Sequence, residues 1–219
     1  LGRALLGAGI KPGDRIATLA PPCRGFWICF LACATIGATW LGLNPRYKRR
    51  EFAFFIRDAK PKLIFTFSPF DGRNYDGEIE MILKDLNLDK DCKLVQFDDK
   101  SFNFTDFSDF LAQHWVLASE QLFHRSTIKV KDTDIAAIVY TSGSTGRPKG
   151  SMLSHRSLCR SAKASVGWMG QSLERAAMAF PINHIGSLSA IGMNVLAFGG
   201  TVYFMAHFRA ADILKKKKK

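Results

Sequence analysis

Short apolar runs alternate along this chain with longer helix-like segments, and turn-forming residues separate them. Strands are predicted at Arg15–Ala20, Thr39–Leu43, Lys62–Phe67, Lys93–Phe97, Asp134–Thr141 and Thr201–Met205. Helices are predicted over Leu1–Gly9, Phe26–Ile36 and Lys48–Ala59, within Asp71–Lys84, from Ser154–His155 onward and over Gly186–Phe198. Residues 99–130 have weak periodicity and are predicted to be a connector with a short helix. This alternation predicts an α/β fold with largely parallel sheets flanked by helices.

Two long runs without Asp, Glu, Lys or Arg are each long enough to be considered as membrane spans. They are Gly25–Pro45 and Pro181–Phe208. Gly, Thr, Ser and Asn interrupt both runs at points where a helix would give way to a strand. A buried helix that leads into a buried parallel strand has this composition, because both faces of such a strand are covered. The sequence therefore predicts no transmembrane span.

The formal net charge of +12 raises the question of a nucleic-acid partner. Five of these charges lie in the run Lys215–Lys219, and removing them from +12 leaves +7. The remaining Lys and Arg residues are scattered, without a basic stripe interleaved with aromatic residues, so no nucleic-acid partner is predicted. A mildly basic protein that binds small polyanions fits the same charge.

From the residues at its two ends, we expect this chain to be a piece of a longer protein. No initiator Met is present, and Leu1 falls within a predicted helix. The lysine run is interpreted as non-native, since a poly(A) stretch translated in frame would produce it; a purification tag and a functional basic tail are the alternatives. Residues 1–214 are therefore expected to form a partial domain truncated at both ends, and 215–219 a separate tail.

The five cysteines do not form a regular framework. Their number is odd and no two are spaced as CxxC, so neither a disulfide scaffold nor a zinc site is predicted. Cys29 and Cys33 are one helical turn apart and are expected to be buried thiols. Cysteines without a disulfide framework favour an intracellular, reducing compartment.

The most informative segment is the loop that follows the strand at Asp134–Thr141. The ten residues from Thr141 to Gly150 contain three glycines, four Ser or Thr hydroxyls and one lysine, Lys149. Glycines let a backbone approach a ligand closely, successive N–H groups form an anion nest, and lysine supplies a mobile positive charge. At the carboxyl end of a parallel strand, this combination predicts binding of the phosphates of a nucleotide.

Two other interpretations of the loop are less consistent with its residues. A flexible Ser/Gly linker would not usually follow directly on an apolar strand or end in Pro-Lys-Gly. A Walker A loop requires Gly before the lysine and Ser or Thr after it, whereas Pro148 and Gly150 flank Lys149 here. A P-loop NTPase is therefore excluded.

The segment YTSGSTGRPKG, Tyr140–Gly150, resembles the phosphate-binding loop of the AMP-forming acyl-CoA synthetases, luciferases and adenylation domains. The family pattern is roughly [ST]SG[ST]TGxPKG with a His a few residues later, a place that His155 occupies. The segments GIKPGDRIA, IGATWLGLNPRY and PKLIFT also resemble this family, and the likeness extends up to the lysine run. The resemblance implies the incomplete large N-terminal domain of an adenylate-forming enzyme.

Enzymes of this family join a carboxylic acid to the α-phosphate of Mg·ATP, and in most of them the thiol of CoA then displaces AMP. The resemblance implies ATP, Mg²⁺ and CoA as ligands, and Thr145 as a residue that helps place Mg²⁺. It implies that the nucleotide phosphates are held by Thr141, Ser142, Gly143, Ser144, Thr145, Gly146 and Lys149. Adenylation depends mainly on charge stabilisation and alignment of two anions, which such a loop can provide.

A second site is expected at FPINHIGS, Phe180–Ser187. In the family, an aromatic-Pro-x-x-His segment lines the acid pocket, and the resemblance places His184 near the reacting carboxylate. Taken alone, a single His beside a helix start is more often structural. No Asp or Glu occurs between Arg175 and Arg209 to pair with a substrate ammonium, and a buried unpaired ammonium is costly. The expected substrate is therefore an acid without an α-amino group, such as a fatty or aryl acid.

Two functions are compatible with these features. The parent protein is expected to be an acid–CoA ligase, of which this fragment alone would be inactive because the family's adenine and ribose sites and its C-terminal lysine lie beyond Leu214. The alternative is a naturally short, non-catalytic protein that binds a nucleotide or a partner. A light-emitting relative would begin with the same adenylation, and the sequence does not separate it from a ligase.

Overall fold

The computed structural model describes residues 1–97, 105–141, 147–169 and 174–208. The helices are α1 (Gly2–Gly7), α2 (Arg24–Ile36), α3 (Arg49–Ala59), α4 (Tyr75–Asp85), α5 (Thr105–Trp115), α6 (Glu120–Lys129), α7 (His155–Met169), a π-helix (Gly186–Met193) and α8 (Asn194–Ala197). The strands are β1 (Arg15–Leu19), β2 (Thr39–Leu43), β3 (Leu63–Phe67), β4 (Lys93–Phe97), β5 (Ile135–Thr141), β6 (Lys149–Ser154), β7 (Arg175–Met178) and β8 (Thr201–Phe204).

The main sheet has the order β4-β3-β1-β2-β5-β6, and only the β5–β6 pair in it is antiparallel. Strands β7 and β8 form a second, two-stranded parallel sheet. The predicted α/β class with largely parallel sheets is thus confirmed. Because β2 and β5 are neighbours and run parallel, the turn after β2 and the loop after β5 emerge at the same edge of the sheet.

Alternate residues of the central strands enter two different cores. Ile16 and Trp40 pack on the face covered by α2 and α5, whereas Ala17 and Leu41 pack against α3 and α4 on the other face. A strand that is buried on both faces consists of a continuous run of apolar residues. This is why the central strands could be predicted from the sequence. The uncharged run Gly25–Pro45 is indeed a helix, α2, followed by strand β2. Among the described residues, no helix combines the length and apolarity needed to cross a bilayer.

Three regions differ from the sequence-based predictions. Residues 99–130, predicted as a connector with a short helix, contain two helices, α5 and α6, and α6 has no buried residue to produce a clear pattern. Strand β6 was not predicted because none of its residues is fully buried, and β7 buries only Met178. The predicted helix over Gly186–Phe198 is a π-helix that continues into α8.

All five cysteines are free thiols. Cys29 and Cys33 are buried as expected, and burial raises the pKa of the Cys29 thiol to about 12, so that it stays protonated at neutral pH. Cys159 is the exposed cysteine among the five. Within the described parts of the chain, no group of three or more His, Cys, Asp or Glu side chains could hold a metal ion.

Candidate functional site

The loop expected to bind phosphate lies in the sequence between β5 and β6, two strands that pair antiparallel as a β-hairpin. Strand β5 ends at Thr141 and β6 begins at Lys149, directly opposite in the antiparallel register, so the two side chains lie on the same face. Lys149 is exposed and makes no ion pair with any described residue. The structure therefore brings Thr141 and Lys149 together at the base of the loop. The other predicted phosphate-binding residues, Ser142, Gly143, Ser144, Thr145 and Gly146, lie outside the described residues.

A cavity of about 540 Å³, here called the hairpin cavity, adjoins this hairpin. Its walls are the turn after β2, the end of β5 and the segment from Phe180 into the π-helix. The lining residues are Asn44, Tyr47, Tyr140, Phe180, Pro181, Asn183, His184, Gly186, Ser187, Ala190 and Ile191. None of them is Asp, Glu, Lys or Arg. Because Tyr140 directly precedes Thr141, the cavity opens beside the base of the phosphate loop.

A hydrogen bond between Asn183 and Tyr47 joins two walls of the hairpin cavity. Asn183 Nδ2 donates to the Tyr47 hydroxyl at 2.9 Å, and Asn183 Oδ1 is buried without a hydrogen-bond partner in the described structure. Burial, followed by the charge of Glu51, raises the pKa of Tyr47, so the phenol keeps its proton. Since its oxygen accepts from Asn183, that proton remains available to a ligand.

Glycine at position 42 allows this close approach. A Cβ on Gly42 would lie 2.6 Å from Asn183 Cβ and 2.6 Å from the Trp40 ring, which is closer than atoms can pack. The segment after β7 therefore rests directly on strand β2. Tyr47 and Asn183 were not predicted as site residues. The only feature of the sequence that could have indicated them is that the segments NPRY and FPINH both resemble family segments.

His184 contributes to the wall of the hairpin cavity, where the sequence predicted the acid pocket. Its Nδ1 accepts a hydrogen bond from the Gly186 N–H at 3.2 Å, so the neutral ring carries its proton on Nε2. That N–H is suited to donate to an oxygen of a ligand. The π-helix begins at Gly186, and such helices often occur at functional sites.

Tyr140 is held against the opposite side of the cavity by aromatic packing and one hydrogen bond. Its ring centroid lies 4.5 Å from that of Phe55, and its hydroxyl donates to Asp58 Oδ2. Burial raises the pKa of Tyr140 and the bond to Asp58 raises it further, so the phenol is protonated. These contacts fix the end of β5, and hence the start of the phosphate loop.

The far end of the hairpin is anchored to the start of β5. The His155 N–H donates to the Asp134 carbonyl at 3.1 Å, and Arg156 binds Asp132 through two hydrogen bonds of 2.7 and 2.9 Å. His155 Nε2 is buried without a hydrogen-bond partner in the described structure. Burial lowers the pKa of His155, and Asp134 opposes this in part. His155 thus lies at the beginning of α7, away from the cavity wall.

A second cavity, here called the edge cavity, lies beside the outermost strand β4. Its volume is about 610 Å³. It is lined by Glu80, Leu83, Lys84, Asp89, Cys92, Lys93, Leu94, Val95, Asp109, Phe110, Gln113 and His114. Lys93, Leu94 and Val95 form the amino-terminal half of β4, so this cavity is remote from the carboxyl edge where the hairpin emerges.

The described residues near the hairpin do not by themselves form a magnesium site. Mg²⁺ is usually bound by one or two carboxylates together with substrate phosphates. Among the described residues that line the hairpin cavity there is no carboxylate, and Thr145, the predicted ligand, lies outside the described residues.

The family model for AMP-binding enzymes matches residues 1–218, and the chain belongs to this family. It is 30% identical over 166 residues to an acyl-CoA ligase of Beauveria bassiana, covering 74% of this chain and 28% of the relative. It is 26% identical to 4-coumarate–CoA ligase 2 of Solanum tuberosum, covering 94% of this chain and 36% of the relative.

Among solved structures, ATP-bound MatB from Rhodopseudomonas palustris is similar, with a TM-score of 0.77 and 28% identity. The match covers 98% of this chain and 40% of that protein. The chain thus spans well under half the length of each of these three proteins. The resemblance to adenylate-forming enzymes and the fold of their N-terminal domain are both confirmed.

Proposed function

We propose that the full-length protein is an AMP-forming acid–CoA ligase. A carboxylate oxygen of the acid attacks the α-phosphorus of ATP, the bond to the β-phosphate breaks, and pyrophosphate leaves. The sulfur of CoA then attacks the acyl carbon, AMP leaves, and the thiol proton is released. The family membership and the CoA-ligase relatives support this reaction, and the ATP-bound neighbour supports ATP as the nucleotide.

The observation that carries the proposal is the position of the hairpin cavity beside the base of the phosphate loop. Thr141 and Lys149 mark where the nucleotide phosphates would lie, and His184 is in the cavity wall. An acid in the cavity would have its carboxylate within reach of both regions. We assign phosphate binding to Lys149, Thr141 and the predicted residues 142–146, Mg²⁺ placement to Thr145, and carboxylate orientation to His184.

The lining of the hairpin cavity supports an acid without an α-amino group. An ammonium in this cavity would meet no carboxylate among the lining residues that the structure describes, and burying it unpaired would be unfavourable. The apolar part of the wall, with Phe180, Pro181 and Ile191, suits an alkyl or aryl chain. The name of the Solanum relative, a ligase of 4-coumarate, is consistent with such a substrate.

Pyrophosphate exchange tests the reaction. The full-length protein is incubated with ATP, labelled pyrophosphate and single acids, including 3-phenylpropionate and phenylalanine, which differ by the ammonium group. Exchange is expected with 3-phenylpropionate or other unsubstituted acids and not with phenylalanine. If no acid supports exchange, the ligase proposal fails, and exchange with phenylalanine alone would overturn the proposed acid class.

We further propose that the 219-residue chain alone does not catalyse adenylation. An immunoblot of the source cells determines the native mass, and the same exchange assay is applied to the isolated chain. A native product near 24.4 kDa that binds ATP without exchange would favour the alternative of a short nucleotide-binding protein. The four buried free thiols suit an intracellular, reducing compartment, which we propose as its location.

A further inference from the structure

Arg73 binds the turn that forms one wall of the hairpin cavity. This turn, at 44–47, follows β2, and Arg73 lies in the loop between β3 and α4. Arg73 Nη1 donates to the Pro45 carbonyl at 3.0 Å and to the Tyr47 carbonyl at 2.7 Å. Both carbonyls belong to the irregular backbone between β2 and α3. Arg73 therefore fixes a segment that the main sheet does not hold.

The remaining donors of the Arg73 guanidinium are bound to one carboxylate. Nε and Nη2 donate to the two oxygens of Glu78 at 2.8 and 2.7 Å, the paired geometry that arginine and a carboxylate form best. The Glu78 side chain is only 14% exposed, and its hydrogen bonds raise the pKa of Arg73 above the ordinary value. The carboxylate thus sets the plane of the guanidinium and directs Nη1 toward the turn.

Aromatic packing supports the same arrangement. The guanidinium carbon of Arg73 lies 4.9 Å from the ring centre of Tyr75 and 5.3 Å from that of Phe52. The Tyr75 hydroxyl also donates to the Pro45 carbonyl, at 3.0 Å. The Tyr47 ring packs on the same Phe52, with ring centroids 6.0 Å apart. Arg73 therefore contacts both the backbone and an aromatic neighbour that determine where Tyr47 lies.

Tyr47 is the member of the turn through which Arg73 can influence a ligand. The Tyr47 hydroxyl accepts from Asn183 Nδ2 and keeps a proton that it can donate in the hairpin cavity. Such a bond weakens steeply when its length or angle changes, so the position of the turn matters. Arg73 is not among the described residues that line the cavity, and its effect on a ligand would pass through the turn.

We propose that Arg73 is a positioning residue for the acid substrate. It holds the turn so that the Tyr47 hydroxyl donates to a carboxylate oxygen of the acid, and Glu78 keeps the guanidinium oriented. Tyr47 and His184 both offer neutral donors to the hairpin cavity, and hydrogen bonds from such donors to a charged carboxylate are strong. This inference rests on the proposed ligase function and adds Tyr47 to the residues that touch the acid.

Pyrophosphate exchange by the full-length protein, at varied acid and at varied ATP, tests the role of Arg73. Arg73→Lys keeps the charge, but a single ammonium cannot reproduce the fork of bonds to Glu78 and to the turn. It should lower kcat/KM for the acid by about 3- to 10-fold, the range of a weakened hydrogen bond, and change the KM for ATP by less than about 2-fold.

Arg49→Lys is the matched control. Arg49 also pairs with a carboxylate of α4, Asp85, at 2.8 Å, and its side chain makes no hydrogen bond to the turn in the described structure. This variant should have wild-type kinetics for both the acid and ATP. Glu78→Gln tests the same device without altering Arg73 itself, and it should lower kcat/KM for the acid in the same direction as Arg73→Lys.

A double-variant cycle shows whether Arg73 acts through Tyr47. Tyr47→Phe alone should lower kcat/KM for the acid at least ~10-fold, the effect of losing a hydrogen bond to a charged group. If Arg73 positions the hydroxyl, Arg73→Lys added to Tyr47→Phe should lower kcat/KM by less than about 2-fold more. Urea unfolding of each variant gives the folded fraction, and rates are expressed per folded molecule.

The inference is overturned if the effects of Arg73→Lys and Tyr47→Phe multiply in the double variant, because Arg73 would then not act through the hydroxyl. Equal acid kinetics for Arg73→Lys and Arg49→Lys would overturn it as well. So would equal losses in the acid and ATP parameters, which a purely structural role would produce. A wild-type protein that exchanges with no acid would instead remove the ligase function itself, and this inference with it.

Discussion

The hairpin cavity and the edge cavity differ in volume and in their position on the sheet, and only the position indicates where a ligand binds. The edge cavity is the larger, at about 610 Å³ against about 540 Å³, and it contains more charged side chains. It lies beside the amino-terminal half of an outer strand, whereas the hairpin cavity lies where β2 and β5 end. In open α/β sheets, ligands bind outside the carboxyl ends of the strands. Topology therefore identifies the hairpin cavity, and volume does not.

Each cavity also contains a histidine in a different setting. His184 is exposed in the wall of the hairpin cavity, with Nδ1 engaged by the Gly186 N–H. His114, in the edge cavity, is only 7% exposed, packs on Phe110, and has a buried Nδ1 without a hydrogen-bond partner in the described structure. His184 can therefore donate a proton to a ligand, whereas His114 packs in the protein interior. The comparison predicts different results for matched changes at the two cavities.

The largest expected difference is between two exposed lysines that each begin a strand. Lys149→Ala should raise the barrier for ATP-dependent exchange by about 1.5–3 kcal/mol, the cost of a lost charge-assisted contact, or roughly 10- to 160-fold in rate. Lys93→Ala, which begins β4 beside the edge cavity, should leave the exchange rate unchanged. The measurement is pyrophosphate exchange by the full-length protein at varied ATP. Unchanged kinetics for Lys149→Ala would remove that residue from the nucleotide site.

The positions of the two lysines illustrate what the sequence could predict. The strands Thr39–Leu43 and Lys93–Phe97 were predicted with their observed bounds. The first is buried at every position and therefore needs apolar residues throughout, whereas the second, at the edge of the sheet, buries only Val95 and Phe97 and was recognised as a short, largely apolar run. Lys149 was assigned to the phosphate loop from its motif. Its pairing with Thr141 was not predicted, because β6 is largely exposed and has no apolar pattern to reveal it.

The remaining parts of the hairpin cavity depend on contacts between distant segments. Asn183 and Tyr47 are 136 positions apart, and their hydrogen bond exists only because Gly42 lets the chain after β7 rest on β2. Nothing in the local sequence around Asn183 specifies that partner. The motif of His184 could be recognised, but the tautomer of its ring depends on a backbone N–H two residues away.

A second comparison concerns two glycines, Gly42 in strand β2 beside the hairpin cavity and Gly77 in helix α4 beside the edge cavity. Gly42→Ala should destabilise the protein by about 1–3 kcal/mol, because the new methyl group would overlap Asn183 and the Trp40 ring. Gly77→Ala in α4, the helix that borders the edge cavity, has no atom within 3.4 Å of the new methyl group and should stabilise the protein by about 0.5–1 kcal/mol.

Urea unfolding of the full-length variants measures both glycine effects. Acid-dependent exchange should also fall in Gly42→Ala, since the Asn183 wall would be displaced, and should not change in Gly77→Ala. Equal stability of the two alanine variants would mean that strand β2 and the segment at Asn183 can separate without cost. The close approach would then be unimportant for the cavity.

A smaller effect is expected from the histidines. His184→Ala should lower kcat/KM for the acid by roughly 3- to 10-fold, the range of a lost neutral hydrogen bond, with little change in the KM for ATP. His114→Gln should leave both parameters unchanged when the rate is expressed per folded molecule. The measurement is exchange at varied acid and at varied ATP for each variant. A loss in His184→Ala that is confined to the KM for ATP would place the acid elsewhere.

The smallest effect is the pH dependence of stability that His114 contributes. Burial lowers the pKa of His114 below its ordinary value of 6.5, and the charge of Lys93 lowers it further. Between the two pKa values the unfolded chain binds more protons than the folded one, so the free energy of unfolding must fall as the pH falls below 6.5 and level off below the folded-state pKa. His155 acts in the same direction, because burial lowers its pKa as well.

The measurement that isolates His114 is urea unfolding between about pH 7 and pH 5, above the range in which ordinary carboxylates titrate. Wild type should lose stability across this range, and His114→Gln should lose less, with His155 responsible for what remains. Parallel slopes for wild type and His114→Gln would mean that His114 is as easily protonated in the folded protein as in the unfolded chain. The edge cavity would then be open to water at His114. The settings of the two histidines would no longer distinguish the edge cavity from the hairpin cavity, and only their positions on the sheet would.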